Sequence, residues 1–212
     1  MPLSLQVPFS EKDEVKQLGA WWSAEQKTWV IPDHVSNITR FKKWIPYQQG
    51  IIIRRPYRLL LTARRCWKCD KVTPMVALAG FNYYSFEYLD ENDPESTQEW
   101  IKGEEPTVFA FATEMDEHLN DYLKEHFPHF RLTHSKTLEE KTWANNCQLC
   151  GRLQGEWHNH EDFDGAFCPD PYEGSPFEFK LHEMALEMDF HILADFGSLD
   201  FNEIELQNGG SY

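Results

Sequence analysis

The sequence predicts an α+β protein in two parts. Residues 1–50 form a small basic β-α-β-β module with a docking helix, and residues 51–212 form a larger acidic domain on a mixed or antiparallel sheet, with an insertion at about 80–145. Three observations predict this. Short alternating apolar runs at both ends of the chain have the two-residue period of strands. Stretches at 11–18, 33–50 and 114–126 carry apolar residues at helical spacing. Charge is split along the chain, with eleven basic against five acidic residues over 1–65 and nine against thirty after that. Such asymmetry separates segments with different surroundings.

In the first segment Leu3, Leu5 and Val7 alternate with polar residues, and Pro8 ends the strand. Ser10 with Asp13 three residues on resembles a helix start, and Gly19 suits the position after a helix end. A helix over 11–18 follows, with Val15 and Leu18 on its apolar face. Trp21-Trp22 and Thr28 to Ile31 read as two strands around a polar turn. Lys12, Lys16 and Lys27, with Trp21 exposed among them, form a candidate nucleic-acid contact, since aromatic rings stack bases and lysines neutralise phosphates. The competing expectation is that at least two of Trp21, Trp22 and Trp29 fill the core of so small a module. Val35, Ile38, Phe41 and Trp44 then predict an amphipathic docking helix. Arg40, Lys42 and Lys43 between them serve as a solvated face or a binding patch.

Residues 51–65 are rich in strand formers and run straight into Cys66-Trp-Lys-Cys69; Val72 to Leu78 reads as the next strand. A second pair, Cys147-Gln-Leu-Cys150, is followed by Gly151. Four thiolates in two such pairs are the ligand set of a structural tetrahedral zinc ion, Zn(2+), held by Cys66, Cys69, Cys147 and Cys150. A redox pair or two unrelated thiol pairs are the alternatives. The redox reading needs a βαβ context that strand, knuckle, strand does not supply. The 77 residues between Cys69 and Cys147 exceed ordinary ribbon spacing.

That insertion opens with aromatics from Phe81 to Tyr88, continues through an acidic loop at 90–95 and a buried strand at 108–111, and reaches a helix over 114–126 capped by Thr113. Phe130 and Leu132 mark a short strand. After the second knuckle, His158, His160 and Cys168 are candidates for a second metal site, because His-x-His on a strand places both rings on one face. One of the two histidines replacing a cysteine ligand, or plain surface histidines with a buried Cys168, are the alternatives. Residues 177–184 alternate as a half-buried strand, Met188 to Phe196 reads as its antiparallel partner, and Phe201, Ile204 and Leu206 add a last strand.

Two stretches carry resemblances. Leu5-x-Val7-Pro8-Phe9, Lys12, Lys16, Leu18-Gly19-Ala20-x-Trp22, Lys27-x-Trp29 and Ile31-Pro32 closely resemble a small bacterial domain of unknown function that occurs in conjugative-plasmid primases. That family usually has Asp where this chain has Ser23. The resemblance covers residues 3–32 and implies a nucleic-acid setting. Residues 57–168, through Cys66-Trp-Lys-Cys69, Thr73 to Leu78, Cys147-x-x-Cys150-Gly151 and Leu153-Gln154-Gly155, resemble uncharacterised bacterial zinc-ribbon-like proteins.

No phosphate-cradling Gly-rich loop, zincin motif or nucleophile elbow occurs, and neither knuckle has the deaminase His-x-Glu or Pro-Cys signature. Four sulfurs leave a metal no open position for water. The expected function is therefore non-enzymatic: a zinc-stabilised protein-binding protein, such as an immunity protein that neutralises a basic toxin or nuclease. The alternative is a nucleic-acid accessory protein that binds single strands through residues 1–65. An enzyme with an unmarked site is the third class. Cysteine usage, and the lack of a signal-like start or a bilayer-length apolar run, lead to the expectation of a cytoplasmic protein with no membrane association.

Overall fold

A computed structural model describes residues 2–89, 96–170, 175–202, 204 and 206–207. The acidic loop at 90–95 and the tail at 208–212 lie outside the described residues. The described residues are mostly β, with few helices. Only one of those helices exceeds six residues, so the α part of the expected α+β class is slight. The chain divides into two compact units.

The first unit takes in residues 1–55, 82–104 and 187–191, more than the expected 1–50. Strands β1 (Leu3–Leu5), β2 (Trp21–Ser23) and β3 (Thr28–Ile31) form an antiparallel sheet in the order β1-β3-β2. Between β1 and β2 lie a 3₁₀ turn, Phe9–Glu11, and helix α1 (Lys12–Gln17). Ser10 does not cap that helix; Glu11 holds the N-cap position and no side chain bonds there. Gly19 then takes φ +103, open to glycine without strain. The expected helix at 33–50 is absent. Thr39–Phe41 is a single 3₁₀ turn, yet Val35, Ile38, Phe41 and Trp44 are all buried. Their spacing reported burial correctly and helix wrongly. Strand β4 (Ile51–Ile53) pairs with β7 (Tyr83–Tyr88), which pairs with β8 (Gln98–Lys102). Leu3, Leu5, Val15, Ile31 and Ile38 share one core with Tyr84 and Trp100 from this hairpin.

The second unit is built on six strands in the order β14-β12-β5-β6-β9-β13. They are β5 (Arg58–Arg65), β6 (Val72–Gly80), β9 (Thr107–Met115), β12 (Phe179–Glu183), β13 (Phe190–Phe196) and β14 (Leu206–Gln207). Residues 192–196 of β13 belong to this unit. All these pairings are antiparallel except β12 with β14. The expected hairpin of 177–184 with 188–196 does not form: β12 pairs with β5, and β13 pairs with β9. Helix α2 (Glu117–His126) starts three residues later than expected, because Glu114 and Met115 finish β9. A separate hairpin, β10 (Phe130–Ser135) with β11 (Glu140–Asn145), leads into the second knuckle, and the short helix α3 (Glu156–His160) follows it. Leu60, Met75, Ala77, Val108, Phe167 and Phe179 form this unit's core.

Candidate metal centre

β5 and β6 pair down to Arg65 and Val72, so Cys66 to Lys71 is the turn at the tip of a long hairpin. The Cys66 amide donates to the Lys71 carbonyl at 2.8 Å, and the Asp70 amide donates to the Cys66 carbonyl at 2.9 Å. The second knuckle repeats this: Cys147 donates to Arg152 and Gly151 donates to Cys147, both at 2.8 Å. The residue after the second cysteine has positive φ in each, +57 at Asp70 and +70 at Gly151. Gly151 meets this at no steric cost, while Asp70 is one of the residue types that tolerate it.

The two knuckles, distant in sequence, converge. Cys66 Sγ lies 3.6 Å from Cys150 Sγ, and Cys69 Sγ lies 3.8 Å from Cys147 Sγ. All four sulfurs are within 4.8 Å of one another. A tetrahedral ion with bonds of about 2.3 Å sets its sulfurs about 3.8 Å apart, so the donor set fits a metal ion. The five cysteines form no disulfide.

Side chains hold the tips in register. Asn145 on β11 acts as a substitute strand against β6, taking the Val76 amide on Oδ1 at 2.8 Å and donating from Nδ2 to the Val76 carbonyl at 2.9 Å. Thr73 Oγ1 accepts from the Gln148 amide at 3.1 Å, and Trp67 Nε1 donates to the Leu153 carbonyl at 2.8 Å. Gln154 Nε2 donates to Cys66 Sγ at 3.4 Å. Burial pushes the Cys66 thiol up, but amide donors from Cys69 and Lys68, with hydrogen bonds from Cys150 and Gln154, bring it down to about 6. At Cys150 the Arg152 amide pulls the pKa down. Desolvation and three neighbouring sulfurs push the other way and raise it to about 12. Thiolate charge at Cys66 thus holds a proton on Cys150, and a divalent cation relieves that repulsion. Gln154 falls in a stretch the sequence marks; Asn145 and Thr73 carry no mark at all, since a polar residue in a strand looks the same whatever its partner.

The candidate second metal site is not assembled. Residues 156–160 are helical, so His158 and His160, two apart, point to different sides. His158 is exposed, with Nδ1 3.0 Å from Asp162 Oδ2. His160 is buried, with Nε2 3.5 Å from Glu156 Oε2 and its ring stacked on Phe167. Cys168 is half-buried, and burial, then Glu161 and Asp162, push its thiol up. Among the described residues, the four cysteines are the group with metal-ligand geometry.

The N-terminal candidates also differ from expectation. Trp21 and Trp22 are each 50% exposed and Trp29 is partly buried, so the three do not make the core. The strap at 33–45 fills it instead. Trp22 packs edge-on against Trp29 at 6.1 Å. Lys12 Nζ lies 4.0 Å over the exposed Phe9 ring, and Lys16 and Lys27 are exposed. Two cations of the strap meet carboxylates: Lys42 meets Glu99, and Lys43 lies 3.0 Å from Glu11 and 3.7 Å from Glu14.

Comparison with known proteins bears on this end of the chain. Residues 3–46 match the family described as Domain of unknown function (DUF5710). The match extends past the strands and α1 into the buried strap. Over 40 residues the chain is 50% identical to the DNA primase TraC of Escherichia coli, covering 19% of this chain and 4% of that protein. The chain thus spans a small fraction of that relative's length. No solved structure matches it. No helix among the described residues is long and apolar enough to cross a membrane.

Proposed function

We propose that this is a non-enzymatic binding protein, stapled by a structural zinc ion, whose partner is a basic protein. An all-sulfur tetrahedral donor set favours zinc over harder cations and leaves no coordination position for a substrate. The partner reading rests on one observation above others. The half-exposed Trp21 ring lies in an open groove of about 550 Å³ whose walls include Glu25, Asp33 and Glu187. An aromatic face among carboxylates is a receptor for guanidinium and ammonium groups. Charge supports it at larger scale. The segments of the first unit together hold nine basic and fourteen acidic residues, so the basic N-terminal stretch sits in an acidic unit. In its finer form the proposal is an inhibitor of the immunity kind, neutralising a basic toxin such as a nuclease.

The test is capture from a lysate of its own cells on the immobilised zinc-loaded chain, followed by mass spectrometry. A stoichiometric basic protein should be retained, elute with salt, and be lost with Trp21→Ala and with Glu25→Lys. Retention of nothing, or of a protein indifferent to both variants, rejects the proposal. The resemblance to a primase, with the exposed Phe9 ring beneath the half-buried Lys12, favours a second reading in which this module binds single strands. It requires salt-sensitive oligonucleotide binding that disappears with Lys12→Glu and Trp21→Ala.

A further inference from the structure

We infer that the sulfur-bearing unit holds a separate binding groove for a nucleobase–phosphate unit, either a free nucleotide or a nucleotide of a single strand. The groove encloses about 690 Å³, within the range of small-molecule sites. Its walls come from the first knuckle, the turn between β10 and β11, the strap after the second knuckle, and α3. None of these walls uses a cysteine ligand.

Three properties of the lining converge on that ligand. The first is aromatic. Trp67 is 65% exposed and Trp157 is 47% exposed, although tryptophan is usually well buried. The Trp67 indole is fixed in place by its Nε1 bond to the Leu153 carbonyl. A ring that is both anchored and bare is a stacking platform. The second is charge. Arg64, Lys136 and Arg152 line the groove with His134 and His158, against one carboxylate, Glu156. The chain as a whole carries 35 acidic and 20 basic residues, so this reversal of sign is local. Arg64 spends one nitrogen on Asn159 Oδ1 at 2.7 Å, and His158 faces Asp162. Lys136 and Arg152 are exposed, placed for a phosphate.

The third property separates a nucleotide from a bare anion. Gln154 and Glu156 line the groove while being 2% and 5% exposed, and the Oε1 atom of each is buried with no hydrogen-bond partner. Stranded acceptors call for N–H donors. A phosphate supplies none, whereas the edge of a nucleobase does. Guanine offers adjacent imino and amino donors that match a carboxylate, so it should be preferred over bases with one amino group or none.

Titration calorimetry on the zinc-loaded full chain at low salt tests the inference. The ligands are GMP, AMP, UMP, ribose 5-phosphate and a mixed-sequence single-stranded octamer. GMP should bind in the submillimolar range, tighter than AMP or UMP, and ribose 5-phosphate should not register. Trp157→Ala and Arg152→Glu should each weaken GMP binding at least tenfold with zinc content and melting temperature unchanged. Trp67→Ala should do the same if its fold survives. An octamer bound much more tightly than GMP assigns the groove to a strand, and equal affinity assigns it to a free nucleotide. Three results overturn the inference: no binding of any base-containing ligand, equal binding of ribose 5-phosphate, or octamer binding lost with Trp21→Ala and kept with Trp157→Ala.

Discussion

Arg54 is 2% exposed, and its guanidinium is satisfied from three directions. Nε donates to Asp189 Oδ2 at 2.8 Å, Nη1 to the Val35 carbonyl at 2.6 Å, and Nη2 to the Pro32 carbonyl at 3.1 Å. Removing one partner of such a pair leaves a buried charge uncompensated. Asp189→Asn should therefore cost about 3–5 kcal/mol, read as a lower urea midpoint. Arg54→Met with Asp189→Leu should recover most of that loss, because the stranded charge is gone. His129 makes a pH prediction. Burial, then the nearby Arg131 charge, lowers its pKa to about 4. Nδ1 faces Gln148 Nε2 at 3.2 Å. The unfolded chain takes up the proton near 6.5 and the folded chain only near 4, so stability is full above 6.5 and is lost as pH falls through that window. The loss is on the order of 2–3 kcal/mol, and His129→Gln should abolish that part of it. Neither residue was legible. Arg54 stands in an Arg-Arg-Pro string that reads as surface, and its acidic partner is 135 positions away.

At the scale of elements, the knuckles were legible because their chemistry is local: two cysteines, a two-residue spacer and a residue that tolerates positive φ. Their near-identical turns put the metal prediction on firm ground. Chelation at neutral pH, or Cys147→Ser, should abolish a stoichiometric zinc content and remove folding free energy on the order of 10 kcal/mol. Calorimetry with metal analysis checks this; a chelated chain that melts unchanged would show that the sulfurs cluster without an ion. Gly151→Ala is the finer probe. No atom lies within 4 Å of the added Cβ, so its cost, about 1 kcal/mol, should come from backbone strain alone. The helix expected at 33–50 failed for an equally local reason. Asn37 Oδ1 takes both the Thr39 amide at 3.0 Å and the Thr39 hydroxyl at 2.6 Å. That turn offers the backbone an alternative to the helix. His158-x-His160 was read with a two-residue period in a segment that turned out helical, which moved the two rings apart. β8 went unseen because its exposed ends, Gln98 and Lys102, read as loop, and β11 because the buried Thr142 and Asn145 are polar and break the apolar pattern of a strand.

For the whole molecule, the difficulty lies in which distant segments are brought together. The boundary at residue 50 follows the end of the expected docking helix, and the core does not. Ile52, Tyr84 and Trp100 join the residues of the DUF5710-like segment in one cluster, and the Tyr84 hydroxyl donates to the Ser36 carbonyl. Arg54 and Asp189, from the stretches at 51–55 and 187–191, belong to the same unit. A fragment of residues 1–50 would lose Ile52, Tyr84 and Trp100 from the core that holds Ile38, Phe41 and Trp44, and would lose the carboxylate that Lys42 meets. It should show poor amide dispersion and a broad, non-cooperative melt, while the full chain melts sharply. A sharp two-state transition in the fragment would mean that the segment shared with the primase carries its own stability. The hairpin would then be an addition of this chain to a module already complete. The expected failure instead implies that in this chain the module needs a cover, and that residues from the insertion between the two knuckles supply it.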